Sequence, residues 1–332
     1  MFGRKISIGI VTLLAVTYSA SLPAHAQEAI RIGTSSVGSV FYTLAIGASE
    51  VIQKHAKINA TVEPVGGSTA NMRGLAAKKI EFAIANSFAS FTAYRGTYKF
   101  KKPVDVRMVV QGQGSYRWMV VRKAAKIRTV KDLIGRTIIA KRRALPEIEL
   151  IMDALIKVHG LPRDKLNLVA TTNTGQLVKA LRAGSVDAAI MPFSRRSAQI
   201  AKPLNDGVID FLYIPADKRD EMLKLLPPMM WPDTFKPGTF KPQKGTVNLI
   251  GLNTYFMTRA DVSDDTVYKV AKALYENNKD FVSYHKAARQ WNIKRALKNV
   301  ALPFHPGVIR YFKEKKVWTA AHEANQTRLL KR

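Results

Sequence analysis

The chain has 332 residues, no cysteine, and 53 lysine and arginine residues against 24 acidic ones, which gives a net charge of +29. The absence of cysteine excludes disulfides, thiolate catalysis and cysteine-ligated zinc together. Such a charge favours anionic partners, and nucleic acid is the first class to consider. The length suits two domains that each bury a core of their own.

The first 26 residues have the pattern of a cleavable secretory signal. Arg4 and Lys5 give a basic start, residues 6–16 an apolar core, and an A-x-A site ends at Ala26. The alternative is a membrane anchor, but the apolar core is too short to span a bilayer comfortably. We therefore predict cleavage after Ala26 and a periplasmic mature protein. An exported protein meets little nucleic acid, so nucleic acid is not expected as a partner.

The first predicted elements of the mature chain are a strand over residues 30–33 and a helix that Ser39 caps. A similar local pattern then occurs twice, in residues 60–87 and 166–193: an apolar strand, a polar turn, an amphipathic helix, an acidic residue and a second strand. Strand–helix–strand units of this length form parallel sheets. Two such units predict an α/β fold with two similar lobes, and the ligands of open α/β sheets bind at the carboxyl ends of the strands.

Two segments are predicted to connect the lobes. The first follows a strand near residues 106–111, where Gly112, Gln113 and Gly114 are expected to form a flexible crossing. The return is a long apolar strand over residues 247–257. The two segments together would act as a hinge beside a central ligand cleft.

Five prolines in residues 227–245 predict an irregular extended segment. Helices are expected near the end of the chain, over residues 265–277, 280–285, 287–298 and 307–315. The predicted organisation is a signal peptide over residues 1–26, a discontinuous lobe I over residues 27–113 and 256–332, and lobe II over residues 114–255.

No catalytic signature is present in the sequence. It lacks a nucleophile elbow, a Walker A loop, a zinc-protease helix motif and a dinucleotide fingerprint. The histidines are far apart and lack the spacing of metal ligands. We therefore predict a protein that is not an enzyme, with no cofactor and no metal. An exported enzyme on the same fold remains the alternative.

The candidate ligand-binding residues follow predicted strands, where helix N-termini place backbone N–H groups and positive dipole ends. Plain helix capping is the alternative for the two serine- and glycine-rich loops. Arg142 and Arg143 follow a strand of the second lobe, and one of them would bind a carboxylate through bidentate bonds. Otherwise both are solvated. The complete predicted set is Ser35, Ser36, Gly38, Ser39, Tyr42, Gly67, Ser68, Thr69, Asn86, Ser87, Arg142, Arg143, Met191 and Phe193.

Four motifs in this order resemble a known family. Residues 32–42 read IGTSSVGSVFY, residues 66–75 GGSTANMRGL, residues 129–138 TVKDLIGRTI and residues 303–314 PFHPGVIRYFKE. They are similar to motifs of the TAXI-type solute receptors of tripartite ATP-independent periplasmic (TRAP) transporters. The resemblance covers nearly all of the mature chain.

The resemblance implies a type II periplasmic-binding-protein fold, two α/β lobes that close around a small carboxylate, and delivery of that ligand to the membrane subunits of a TRAP permease. The receptor is expected to act as a monomer. Lys141 to Leu145 stand where the family often has a Gly-Ser-rich turn, and Asn86 stands where Gln is common. These departures predict a different, more acidic ligand, still a carboxylate or another organic anion. The alternative function is a ligand-binding receptor that signals to a sensor kinase or another signalling partner.

Overall fold

The computed structural model describes residues 29–195 and 197–331, so the predicted signal peptide lies outside the described residues. In this part of the chain ten strands form one hydrogen-bonded sheet with helices packed around it. The strands are β1 (Ala29–Gly33), β2 (Asn59–Glu63), β3 (Phe82–Asn86), β4 (Val106–Arg122), β5 (Thr137–Lys141), β6 (Asn167–Ala170), β7 (Ala188–Phe193), β8 (Ile209–Phe211), β9 (Trp231–Phe235) and β10 (Val247–Arg259).

The α-helices begin with α1, which Ser39 caps as predicted: its Oγ accepts from the Tyr42 N–H at 3.1 Å. The helices are α1 (Val40–Ala56), α2 (Ser68–Ala76), α3 (Ser87–Arg95), α4 (Glu147–His159), α5 (Thr174–Ala183), α6 (Ala198–Asn205), α7 (Ala216–Lys224), α8 (Asp264–Glu276), α9 (Asn278–Tyr284), α10 (Ile293–Ala296), α11 (Pro306–Glu314) and α12 (Ala320–Leu330).

The sheet has two halves with the same internal arrangement. The main path through the sheet is β2-β1-β3-β10-β4-β7-β5-β6, and β8 pairs with β4 and β9 with β10 beside this path. In the first half β1 lies parallel between β2 and β3, and in the second half β5 lies parallel between β6 and β7. The repeated sequence pattern thus forms β2–α2–β3 and β6–α5–β7. These parallel units confirm the predicted α/β class.

The two halves are joined by β4 and β10, which pair antiparallel with each other. β4 also pairs with β7, and β10 also pairs with β3. The register of the β4–β10 ladder shifts between Asn253 and Tyr255, opposite residues 111–114. Such an irregularity bends a strand locally.

The expected glycine crossing is therefore part of a continuous strand, which corrects the sequence-based prediction. Neither Gly112 nor Gly114 has a positive φ. An added Cβ would lie 2.3 Å from Trp291 at Gly112, and 2.8 Å from the Tyr116 hydroxyl at Gly114. These glycines are needed because aromatic side chains approach the strand closely.

Each half buries a hydrophobic core of its own. One cluster combines β1–β3 and α1 with the C-terminal helices, and includes Ile32, Phe256 and Trp291. The other surrounds β4, β5 and β7, and includes Trp118 and Leu155. A few side chains cross over: Phe88 of α3 belongs to the second cluster.

Two segments differ from the sequence-based expectation. Residues 227–245 contain β9, which pairs with β10 because the prolines leave an extended segment that can form an edge strand. The helix expected over residues 287–298 is instead a 3₁₀ turn at Lys286–Gln290 followed by the short α10. Within residues 29–195 and 197–331, no helix has the length and apolar character needed to cross a membrane.

Candidate functional site

A cavity of about 80 Å³ lies where the carboxyl ends of the parallel strands of the two halves meet. A water molecule needs roughly 10–15 Å³, so the cavity has room for a ligand head of several atoms. The first half contributes Ser35, Ser39, Val40, Phe41, Gly67 and Ser68. The second half and the crossing strand contribute Gln113, Ser115, Arg117, Arg142, Ala144, Leu145, Thr174, Pro192, Phe193, Ser194, Ser197 and Gln199.

Four helix N-termini are directed at this cavity. Ser39 caps α1, Ser68 begins α2, Thr174 begins α5 and Ser197 occupies the N-cap position of α6. Two of these helices belong to each half. The N-terminal end of each helix carries a partial positive charge. The cavity is therefore suited to an anion bound between the halves.

Four hydrogen-bond donors at the cavity are buried and have no partner among the described residues. They are Gln113 Nε2, Arg142 Nε, Ser194 Oγ and Ser197 Oγ, on residues that are 2, 8, 7 and 3% exposed. Ser197 occupies the N-cap position of α6, yet its hydroxyl does not cap the helix. Buried polar groups are almost always paired, so these four donors are available to an acceptor-rich ligand.

The amide of Gln113 has a defined orientation. Trp291 Nε1 donates to Gln113 Oε1 at 2.6 Å, and an indole nitrogen is only ever a donor. Gln113 must therefore present its oxygen to Trp291. Its amide nitrogen is the group left to face the cavity as a donor.

Arg142 supplies an uncompensated positive charge. Its Nη1 donates to Thr174 Oγ1 at 3.1 Å, and it has no carboxylate partner among the described residues. Burial, followed by the nearby charge of Arg117, lowers the pKa of Arg142 to about 10. The guanidinium is still protonated at neutral pH. No Asp or Glu of the described chain lines the cavity.

Arg117 is the second cation at the cavity, and it is compensated. Its Nη2 and Nε donate to Glu147 Oε1 at 2.7 and 3.0 Å. Asn86 Nδ2, from the end of β3 in the other half, donates to the same oxygen at 2.8 Å. Arg117 is 1% and Glu147 0% exposed. The pair therefore adds no net charge to the site.

Six of the fourteen predicted ligand-binding residues line the cavity: Ser35, Ser39, Gly67, Ser68, Arg142 and Phe193. Ser68 Oγ accepts from the Asn86 N–H at 3.1 Å, which leaves its own hydrogen free to donate. Of the two candidate arginines, the buried Arg142 faces the cavity and the exposed Arg143 does not.

The other predicted residues lie around the cavity rather than in its lining. Ser36 and Gly38 are exposed in the first loop, and Tyr42 is half-buried one turn into α1. Thr69 and Arg143 line a neighbouring groove of about 810 Å³, whose cations Arg73 and Lys79 are exposed. The remaining three are buried in the fold. Asn86 donates a hydrogen bond to Glu147, Ser87 accepts one from the Asn253 N–H, and Met191 packs in the second hydrophobic cluster.

Several lining residues were not predicted from the sequence. Thr174 aligns with Ser68 in the repeat, so the repeat itself contained a signal for it. Ser194 directly follows Phe193, at the end of β7. Gln113 and Arg117 had no local signal, because they depend on partners at Trp291 and Glu147 that are distant in sequence. Among the described residues, no group of three potential ligands is placed to hold a metal ion.

Two α/β halves joined by a pair of shared strands around a polar cavity define the periplasmic-binding-protein fold. Residues 32–315 match the model of the NMT1-like family, and the chain belongs to this family.

Two solved structures share the fold. PhnD1 from Prochlorococcus marinus in complex with methylphosphonate has a TM-score of 0.57 at 9% identity, covering 87% of this chain and 99% of that one. MatC from Rhodopseudomonas palustris with bound malate has a TM-score of 0.55 at 13% identity, covering 89% of this chain and 97% of that one. At this level of identity the similarity establishes the fold, in agreement with the sequence-based prediction.

Proposed function

We propose that the protein is a periplasmic receptor that captures a small organic anion, a carboxylate in particular, and delivers it to a TRAP-type permease. The observation that carries the proposal is the set of four unpartnered buried donors beside the uncompensated charge of Arg142. Donors without acceptors favour a ligand rich in acceptor oxygens. The bound malate of MatC and the methylphosphonate of PhnD1 are small anions too.

We assign residues 27–113 and 256–332 to lobe I and residues 114–255 to lobe II. The two hydrophobic clusters and the shared strands β4 and β10 support this division. A ligand held by serines of lobe I and by Arg142 of lobe II contacts both sides of the cleft. It binds the closed state better than the open one, which is all that a ligand needs to shift the population.

The site is tested by isothermal titration of the mature protein with a panel of carboxylates and phosphonates. Arg142→Ala is expected to weaken binding of the tightest ligand by about 2–5 kcal/mol, because it removes a buried charge that is bonded to the ligand. Arg143→Ala is the matched control, one position away and exposed. It is expected to leave the affinity unchanged. Equal affinity in both variants and the wild type contradicts the assignment of Arg142.

Delivery is tested by uptake of the bound ligand into vesicles that contain the permease subunits. The TRAP assignment, which depends on the four sequence motifs, predicts uptake that needs the receptor and an ion gradient and continues without ATP. Uptake that stops when ATP is withdrawn contradicts the TRAP assignment and leaves the receptor role intact. The absence of any anion binding contradicts the receptor role itself.

A further inference from the structure

Glu147 is a buried carboxylate beside the cavity, yet it is not part of the lining. It begins α4 and lies behind Arg117, which does line the cavity. Three donors converge on its Oε1: Nε and Nη2 of Arg117, and Nδ2 of Asn86. Its Oε2 has no partner among the described residues.

Stability alone is a weak explanation for this arrangement. A well-packed apolar pair is often at least as stable as a buried ion pair, because both charges lose their hydration. A pair that faces a ligand cavity has a second consequence. It sets how much positive charge the ligand meets.

The charge count at the site is small and clear. Arg117 and Arg142 are the cations of the described lining, and Glu147 is in contact with the first of them. The net charge is therefore +1, although two guanidinium groups are present. A ligand with one negative charge is neutralised by the charged side chains of this site. A second negative charge would be met only by the helix N-termini and by neutral donors, with no further cation in the described lining.

We infer that Glu147 sets the valence of the ligand: by neutralising Arg117, it makes the site select monovalent over divalent anions. The inference rests on the proposed function, since it concerns the same anion site. Asn86 connects the Arg117–Glu147 pair to closure of the two halves, because its amide donates to Glu147 from β3 of the other half. Glu147 Oε1 receives all three of its donors when β3 and α4 are close together.

The test is a charge series in the mature protein: wild type, Glu147→Gln, Arg117→Gln and the double variant Arg117→Gln/Glu147→Gln. Each is titrated calorimetrically at pH 7.5 with monovalent probes (acetate and lactate) and divalent probes (malonate and succinate). The quantity compared is the ratio of divalent to monovalent affinity. Thermal unfolding of each variant checks that it is folded.

Glu147→Gln raises the site charge to +2 and is expected to raise the ratio at least roughly tenfold, given the strength of charge interactions at low dielectric. The double variant returns the charge to +1 and is expected to restore the wild-type ratio. If Glu147→Gln does not fold, the inference is tested by comparing Arg117→Gln with the double variant. Because Glu147 is still charged in Arg117→Gln, this variant should bind monovalent probes more weakly than the double variant does, by about tenfold or more.

An unchanged ratio in folded Glu147→Gln overturns the inference, as does equal monovalent affinity in Arg117→Gln and the double variant. Either result leaves the proposed function standing, because anions still bind. No anion binding by the wild type contradicts the proposed function and this inference together.

Discussion

Gln113 illustrates how one residue at the cavity depends on a distant partner. Its amide nitrogen is a cavity donor because Trp291 Nε1 occupies its oxygen at 2.6 Å, across 178 positions of sequence. Gly112 allows this contact, since an added Cβ there would lie 2.3 Å from the indole. A fixed donor binds an acceptor at a lower entropic cost than a mobile one. Trp291 is therefore expected to affect binding of the proposed ligand through Gln113.

Replacement of Trp291 by Phe is expected to weaken ligand binding by about 1 kcal/mol, because the Gln113 amide loses its partner and is no longer fixed. Calorimetric titration of the best ligand measures the change. Trp318→Phe is the control: it also removes an indole hydrogen bond, to Glu323 Oε2 at 2.7 Å, but outside the cavity lining. Equal losses of affinity in the two variants would show that Trp291 has no specific effect on the site.

At the scale of elements, the two halves approach each other where α2 begins. Gly67 is the N-cap of α2, with φ 121° and ψ −176°, a backbone conformation that is essentially restricted to glycine. An added Cβ there would lie 3.1 Å from the Ala144 Cβ in the opposite half. The loop before α2 thus permits both the turn and the close contact across the cleft.

Gly67→Ala is expected to lower the affinity for the ligand about tenfold or more. The methyl group would hold the halves apart, and the strained backbone would shift the α2 N-terminus. Gly38→Ala is the matched control. Its φ of 79° is also positive, but its added Cβ has no heavy atom within 4 Å. Both variants should lose stability in thermal unfolding. Only Gly67→Ala should lose affinity, and equal affinity in the two would refute the contact across the cleft.

The sequence predicts elements well where one face is apolar and poorly where burial is slight. The repeat units β2–α2–β3 and β6–α5–β7 were predictable because apolar and polar positions alternate at the strand and helix periods. The helix α12 was not predicted, and its one buried residue is Gln326. The mostly charged α7 buries Arg219 and Met222 alone. Neither helix shows a hydrophobic period.

The same distinction holds for the cavity. Ser35, Ser39 and Ser68 were predictable because strand ends and helix N-termini are local features. Arg117 lies inside a strand and would be expected to face solvent; its role depends on Glu147, 30 positions away. Pairings of this kind require the folded chain.

At the scale of the whole molecule, stability at mildly acidic pH depends on one buried and two half-buried histidines. Burial lowers the pKa of His305, His159 and His285, and it is the largest cause for each of them. His305 is 0% exposed, and its Nδ1 accepts from the Gly307 N–H at the start of α11. The folded state therefore keeps these imidazoles neutral down to a lower pH than the unfolded chain does.

The direction in which stability changes with pH follows from proton uptake. Below about pH 6.5, the unfolded chain binds protons at these histidines that the folded chain does not bind, so the free energy of unfolding falls as the pH falls. The carboxylates with lowered pKa act at a lower pH: Asp261, bonded to Lys78 and Arg259, has a pKa of about 2. Loss of stability between pH 7 and 5 is thus attributed to the histidines.

His305→Asn is expected to reduce the dependence of the free energy of unfolding on pH between pH 7 and 5. The reduction is at most ~1.4 kcal/mol per pH unit, the value for one proton. Asn is a good N-cap residue and does not titrate, so it keeps the cap of α11 and removes only the proton uptake. The measurement is urea unfolding at several pH values. An unchanged slope in His305→Asn would exclude His305 as a source of the acid sensitivity, because the substitution removes its titration while the fold stays intact.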